Sequence, residues 1–337
     1  MILVIAEKPS VAQSIAKVLG ATSRKDGYME GGNYIVSWCF GHLVELADAS
    51  SYDERYAKWR YDDLPIVPEN WMFEVTKDKA QQFKVLSALM KDKRVTELVC
   101  ATDAGREGEL IFRLVYNKAG CTKPFKRLWI SSLEDSAIRE GFQHLRDGKE
   151  YDRLYEAALS RSKADWIVGI NGTRLFTTLY HKKLVVGRVQ TPTLAMLVER
   201  DGKISTFQKE KYFNVHVGKG DLTADLEKVK TEEEAKKIAA ACEKKQAVVS
   251  SLRQETKTVN PPKLYDLTTL QREANRYYGF TCQQTLDLVQ TLYEKKLLTY
   301  PRTDSQFITD DMEDTARQVI SIVCRQLPLF SGVSVTP

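Results

Sequence analysis

Residues 96–112 read TELVCATDAGREGELIF. The apolar LVCA gives way to Asp103, then to Gly105 and Gly108 with Arg106, Glu107 and Glu109 around them, and the apolar LIF follows. A short continuous apolar run predicts a buried strand, and the acidic stretch after it predicts the first turn of a helix. Acids there suit the helix dipole, so a solvated acidic turn would by itself account for them. The alternative is a metal site, because ligands of parallel sheets gather outside the carboxyl ends of the strands.

A second run of the same kind opens the chain. MILVIA, residues 1–6, is followed at once by Glu7 and Lys8. If the two strands are neighbours, Glu7, Asp103 and Glu107 converge at one sheet end. Hard oxygen donors of this kind suit Mg²⁺, which takes one or two carboxylates plus water and phosphate oxygens.

Around these anchors the pattern alternates. VAQSIAKVLG, KAQQFKVLSALMKD and EGELIFRLVYNKAG predict helices, with Gly20 and Gly120 as stops. NYIVSWCFGHLVEL predicts a strand or hairpin and FKRLWIS a strand, and Ser132 with Asp135 offers a capping-box-like start to SAIREGFQHL. Strands alternating with helices predict a mostly parallel sheet covered on both faces. Residues 1–150 are therefore expected to form an α/β domain. Residues 151–208 predict a helical segment and 209–262 a strand-rich one, with KYFNVHVG, LTADLEKV and QAVVSSLRQETKTV as strands around a helix capped by Thr231 and Glu234. Asn260-Pro261-Pro262 marks a boundary, and 263–337 predicts further helices around LLTYPRTDS.

The 337 residues are 43% hydrophobic and 28% charged, ordinary for a soluble globular protein. The formal charge of +5 does not announce nucleic acid, but its distribution is uneven. Arg161, Lys163, Arg174, Lys182, Lys183 and Arg188 face a single acid, Asp165, in one segment. Such a stripe suits a phosphate backbone and equally a solvated helix face. Six scattered cysteines without a CxxC pair argue against a zinc module or a disulfide framework. No signal peptide and no membrane span is read, so a soluble intracellular protein is expected.

LLTYPRTDS holds a second chemical site. Tyr300 precedes Pro301 and so favours extended geometry, which puts Tyr300 and Arg302 on one face. A tyrosine hydroxyl can form a covalent intermediate if a neighbouring guanidinium holds the phosphate it attacks. On its own the tripeptide favours a tyrosine ring packed beside a surface arginine.

VIAEKPSVA, ATDAGREGELIF, SRSKADWIVGIN, GRVQTPTLAML, YDLTTLQREAN and LLTYPRTDS occur in that order. Together they resemble the bacterial type IA DNA topoisomerases, topoisomerase III branch, over residues 1 to about 315. The resemblance implies a Toprim-like parallel-sheet domain at 1–150, followed by helical and mixed α+β segments of the type IA toroid: a helical DNA-groove segment at 151–208, an arch segment at 209–262 and a tyrosine-bearing domain from 263. It implies that Glu7, Asp103 and Glu107 bind Mg²⁺, that Glu7 and Lys8 serve catalysis at the scissile phosphate, and that Tyr300 becomes 5′-phosphotyrosyl with Arg302 as phosphate partner. It maps a single-stranded DNA groove onto Arg161, Asp165, Arg174, Gly187, Arg188, Val189, Gln190 and Thr191. The implied protein is an ATP-independent, monomeric isomerase of the bacterial cytoplasm and nucleoid, acting on single-stranded and negatively supercoiled or underwound DNA, away from membranes.

Two departures from the family pattern stand out. Gly105 occupies a position where many members carry a second Asp, and the chain ends 37 residues after Tyr300 where members continue. The expectation is the N-terminal part of a longer enzyme. Two other readings compete with strand cleavage: a fragment that holds single strands without completing strand passage, and a Toprim primase or nuclease that uses the acids without a tyrosine. The last leaves GRVQTPTL and LLTYPRTD without a role.

Overall fold

The computed structural model describes residues 1–130, 133–246, 248–295, 297–299, 301, 303–308 and 310–327. Ser132, Tyr300 and Arg302 lie outside the described residues. The chain divides into two compact units. Met1–Arg188 and the described residues from Lys263 onward form one, and Val189–Pro262 forms the other.

The first unit begins β1 (Ile2–Ala6), α1 (Pro9–Leu19), β2 (Ser23–Lys25), β3 (Tyr28–Gly31), β4 (Tyr34–Trp38), β5 (Val44–Leu46), α2 (Ala49–Tyr52) and β6 (Phe73–Val75). It continues α3 (Ala80–Lys91), β7 (Glu97–Ala101), α4 (Arg106–Lys118), β8 (Phe125–Arg127), α5 (Asp135–Gln143), β9 (Arg146–Asp147) and α6 (Asp152–Tyr180). Seven strands make one sheet in the order β2-β3-β4-β1-β7-β8-β9. β4, β1, β7 and β8 are parallel, while at the edges β2 pairs antiparallel with β3, β3 with β4 and β9 with β8.

Side chains of a strand alternate between faces. Leu3 and Ile5 of β1 enter one core with Leu86, Leu89 and Met90 of α3 and Leu110, Phe112 and Leu114 of α4, whereas Val4 and Ala6 enter the other with Val11, Ala12 and Ile15 of α1 and Ile138 of α5. Burial on both faces is why β1 and β7 read as unbroken apolar runs. Gly20 ends α1 in the left-handed region at φ 73°.

NYIVSWCFGHLVEL is not a hairpin. Its two ends enter separate sheets, β4 in the main one and β5 paired with β6.

The second unit holds α7 (Gln190–Ser205), β10 (Phe213–Lys219), β11 (Leu222–Val229) and α8 (Glu232–Cys242). β10 and β11 form a hairpin whose turn carries Gly220 at φ 59°, a conformation suited to glycine. The Thr231 hydroxyl accepts from Glu234 N at 3.3 Å and caps α8. QAVVSSLRQETKTV forms no strand among its described residues. Val248, Val249, Leu252 and Val259 are all exposed there, with neither a ladder partner nor a core to bury them.

Back in the first unit, α9 (Leu267–Tyr278) is capped by Asp266 and stopped by Gly279, and α10 (Cys282–Glu294) opens with a capping box of Thr281 and Gln284. α11 (Glu313–Gln326) is the last described helix.

Candidate metal and nucleic-acid site

β1 and β7 are direct parallel neighbours, with Ala6 opposite Ala101. The residues just beyond them, Glu7 and Asp103, therefore meet. Asp103 N donates to Glu7 Oε2 at 3.3 Å, and Lys8 Nζ reaches Asp103 Oδ2 at 3.1 Å and Glu7 Oε1 at 3.5 Å. Desolvation raises the Glu7 carboxyl above its ordinary pKa, the Asp103 charge adds to this, and Lys8 opposes it.

The turn that carries Asp103 is built tightly. A Cβ on Gly108 would lie 2.1 Å from the Asp103 carbonyl oxygen, so only glycine lets the first turn of α4 close against it. Thr102 Oγ1 donates to Gly108 O at 2.7 Å. Beneath the turn sits Arg127, fully buried at the end of β8. Its guanidinium donates to the carbonyls of Cys100, Thr102, Leu128 and Asp103 at 2.7–3.1 Å. Its Nε lies 3.0 Å from Glu109 Oε2, and Arg113 Nε donates to Glu109 Oε1 at 2.8 Å. Glu109, one of the carboxylates in the opening stretch, thus faces the interior and supports the turn from below.

Glu107 looks the other way. It lies half-exposed in the first turn of α4, where Arg161 Nη1 donates to Oε1 at 3.3 Å and His42 Nε2 stands 3.8 Å from Oε2. Burial lowers the His42 pKa, an effect stronger than the opposing Glu107 charge. The three acids named from the sequence thus form a pair, Glu7 and Asp103, and a third carboxylate engaged with α6. Among the described residues no three His, Cys, Asp or Glu side chains gather into a metal cage. A half-buried carboxylate pair bridged by one ammonium still fits Mg²⁺, which completes its shell with water and phosphate oxygens.

The basic stripe is tied to this site through α6. Arg161 Nε lies 3.9 Å from Asp165 Oδ2, and Arg188 Nε donates to Asp165 Oδ1 at 2.9 Å. Glu107, Arg161, Asp165 and Arg188 form one chain of charges. Arg174 is inside rather than on the surface. It donates to Tyr56 O at 2.7 Å, and its guanidinium lies 5.3 Å from the Trp59 ring centre. Gly187 and Arg188 close the first unit's segment, and Val189, Gln190 and Thr191 lead into and begin α7 of the second.

Sequence reading missed Arg127, for which an arginine inside the apolar FKRLWI was the available signal. It takes His42 as surface or structural, because the four histidines show no ligand spacing.

With this geometry in place, comparison with known proteins places the chain. Residues 2–133 match the Toprim domain and residues 149–332 the family described as DNA topoisomerase. The chain belongs to the type IA DNA topoisomerase family, as its ordered motifs led one to expect. It is 46% identical over 320 residues to DNA topoisomerase 3 of Staphylococcus haemolyticus, covering 94% of this chain and 45% of that protein. Against DNA topoisomerase 3 of Bacillus subtilis the identity is 45% over 323 residues, covering 94% and 44%. The structure of full-length topoisomerase I from Thermotoga maritima matches with a TM-score of 0.63 at 26% identity, over 95% of this chain and 52% of that one. The chain spans about half the length of these relatives.

Proposed function

We propose that this chain binds single-stranded DNA and exchanges a phosphodiester for a phosphotyrosyl bond at Tyr300. The observation that carries the reading is the Glu7–Asp103 pair bridged by Lys8 at the end of β1 and β7. The Tyr300 oxygen attacks the scissile phosphorus and the bond from phosphorus to the 3′ oxygen breaks. The Tyr300 hydroxyl releases its proton to water as it attacks, the 3′ oxygen takes a proton from Glu7 and leaves as a hydroxyl, and the 5′ phosphate stays on the tyrosine. Resealing reverses this. One phosphate ester replaces another, so no ATP is consumed.

Each residue has a role in the proposal. Lys8 and Arg302 neutralise phosphate charge that grows in the transition state. Glu7 gives its proton to the departing 3′ oxygen, a task suited to a carboxyl whose pKa is raised by burial and by Asp103. Asp103, with Glu7 beside it and Glu107, would hold Mg²⁺, which when bound supplies further charge neutralisation at the phosphate. Arg161, Asp165, Arg174 and the segment from Gly187 to Thr191 form or support the groove for the strand. Underwound duplex DNA and the bacterial nucleoid follow as substrate and place of action.

The test is a covalent adduct. The purified chain, a labelled single-stranded oligonucleotide and Mg²⁺ are quenched in detergent and separated on a denaturing gel. An adduct lost in Tyr300→Phe supports the reading, and no adduct in the wild-type chain overturns it. Relaxation of supercoiled plasmid then measures how much of strand passage this chain performs.

A further inference from the structure

A cavity lies on the β4 side of the acid pair, and no step above uses it. β4 ends at Trp38, level with Ala6. The chain beyond it stays against the end of β1, as Cys39 N donates to Ala6 O at 2.8 Å and Gly41 N to Glu7 O at 3.4 Å. Here the β2–β3 turn, the end of β4 and the start of α3 line an open cleft of about 520 Å³, within the size range of small-ligand sites.

The walls are held in place before any ligand arrives. Gln82 is buried and donates to Gly27 O at 3.2 Å, to Ser37 Oγ at 3.2 Å and to Trp38 O at 2.7 Å, tying all three walls together. Ser37 Oγ also donates to Gly27 O at 2.8 Å. Gly27 sits at φ 78°, and a Cβ there would meet Gln82 Oε1 at 2.9 Å. The turn is thus fixed by its partners.

The lining chemistry suits an anionic ligand that carries a ring. Arg24, Lys25 and Lys79 face two carboxylates, Asp26 and Asp78, leaving the cavity net positive. Lys79 Nζ is anchored to a neutral group, the His42 carbonyl, at 3.0 Å, so its charge remains for an anion. The Phe40 ring is 48% exposed at the mouth, a surface on which a base can stack. Gln81 adds an amide for a base edge.

We infer that this cavity receives one nucleotide of the single strand whose neighbouring phosphate lies at Glu7 and Asp103. Phe40 stacks on the base, and Arg24, Lys25 and Lys79 hold its phosphates. The inference rests on the strand-cleavage reading and names where the strand continues from the acid pair.

The test uses the full chain and a short single-stranded oligonucleotide carrying 5-iododeoxyuridine at successive positions. Irradiation should join one register of the oligonucleotide to the peptide containing Phe40. Phe40→Ala, at an exposed position, should keep the wild-type melting temperature and weaken binding about 5-fold or more. Arg24→Gln and Lys25→Gln should each flatten the dependence of log affinity on log salt by about 0.7. Wild-type binding with unchanged affinity and slope in all variants, and crosslinks only elsewhere, overturns the inference and leaves the reading above standing. A wild-type chain that binds no single strand overturns both. Loss of the Phe40 crosslink to an equal concentration of thymidine 5′-monophosphate assigns the cavity to a free nucleotide and overturns the strand subsite.

Discussion

Arg127 and Glu109 form an ion pair 3.0 Å long in which neither side chain reaches solvent. Two charges in the interior survive only when each is fully partnered. Glu109 has a second arginine, Arg113, and Arg127 has the carbonyls of the Asp103 turn. The pair is thus the support on which the candidate metal site stands.

Removing one partner leaves the other charged and buried. Arg127→Met should cost about 3–5 kcal/mol in urea unfolding. A loss below about 1 kcal/mol would show that the turn holds without it.

Gly108→Ala tests the same turn from above. The added methyl would collide with backbone, which cannot rotate aside. A destabilisation on the order of 3 kcal/mol is expected, together with weaker Mg²⁺ binding by calorimetry. Wild-type stability and metal affinity in the variant would mean that α4 shifts without disturbing Asp103.

Gly105 behaves oppositely. Its φ of −177° is extended, and a Cβ there meets nothing within 4 Å. Gly105→Asp should fold as the wild type does and bind Mg²⁺ more tightly without DNA, by adding a hard oxygen donor beside Asp103. Asp103→Ala should weaken the same binding. Calorimetry showing no change in either variant would place the metal elsewhere.

The basic stripe is tested by salt. Arg161→Ala and Arg188→Ala should each lower affinity for a single strand and reduce the salt slope by about 0.7. Because both arginines already contact Asp165, part of their charge is internally neutralised, and Asp165→Asn should tighten strand binding. Binding that ignores all three substitutions would put the groove on another face.

What could be read in advance follows from how local each signal is. β1 and β7 were legible because burial on both faces leaves an apolar run in the sequence itself, and Glu7 and Asp103 followed from their places at the strand ends. Arg127 was not, since an arginine in a strand pattern ordinarily marks a solvent face, and its partners come from β7 and α4, brought close only by the sheet order. The same reason hid the depth of Arg174, whose carbonyl acceptor on Tyr56 is 118 residues away. Charge counting overstated the stripe, because Glu107, which meets Arg161, lies outside the counted segment. For Tyr300 and Arg302 the motif is the whole of the argument.

The position of β1 in the sheet sets an order of events. The first strand of the chain pairs on one side with residues from Tyr34 and on the other with residues from Glu97. Contacts so distant along the chain close slowly, because loop entropy must be overcome before pairing gives anything back. Glu7 and Asp103 are therefore strangers until the central sheet is assembled. Affinity for a divalent ion should emerge late in refolding, in step with the pairing of β1 and β7 rather than with the earlier growth of helices.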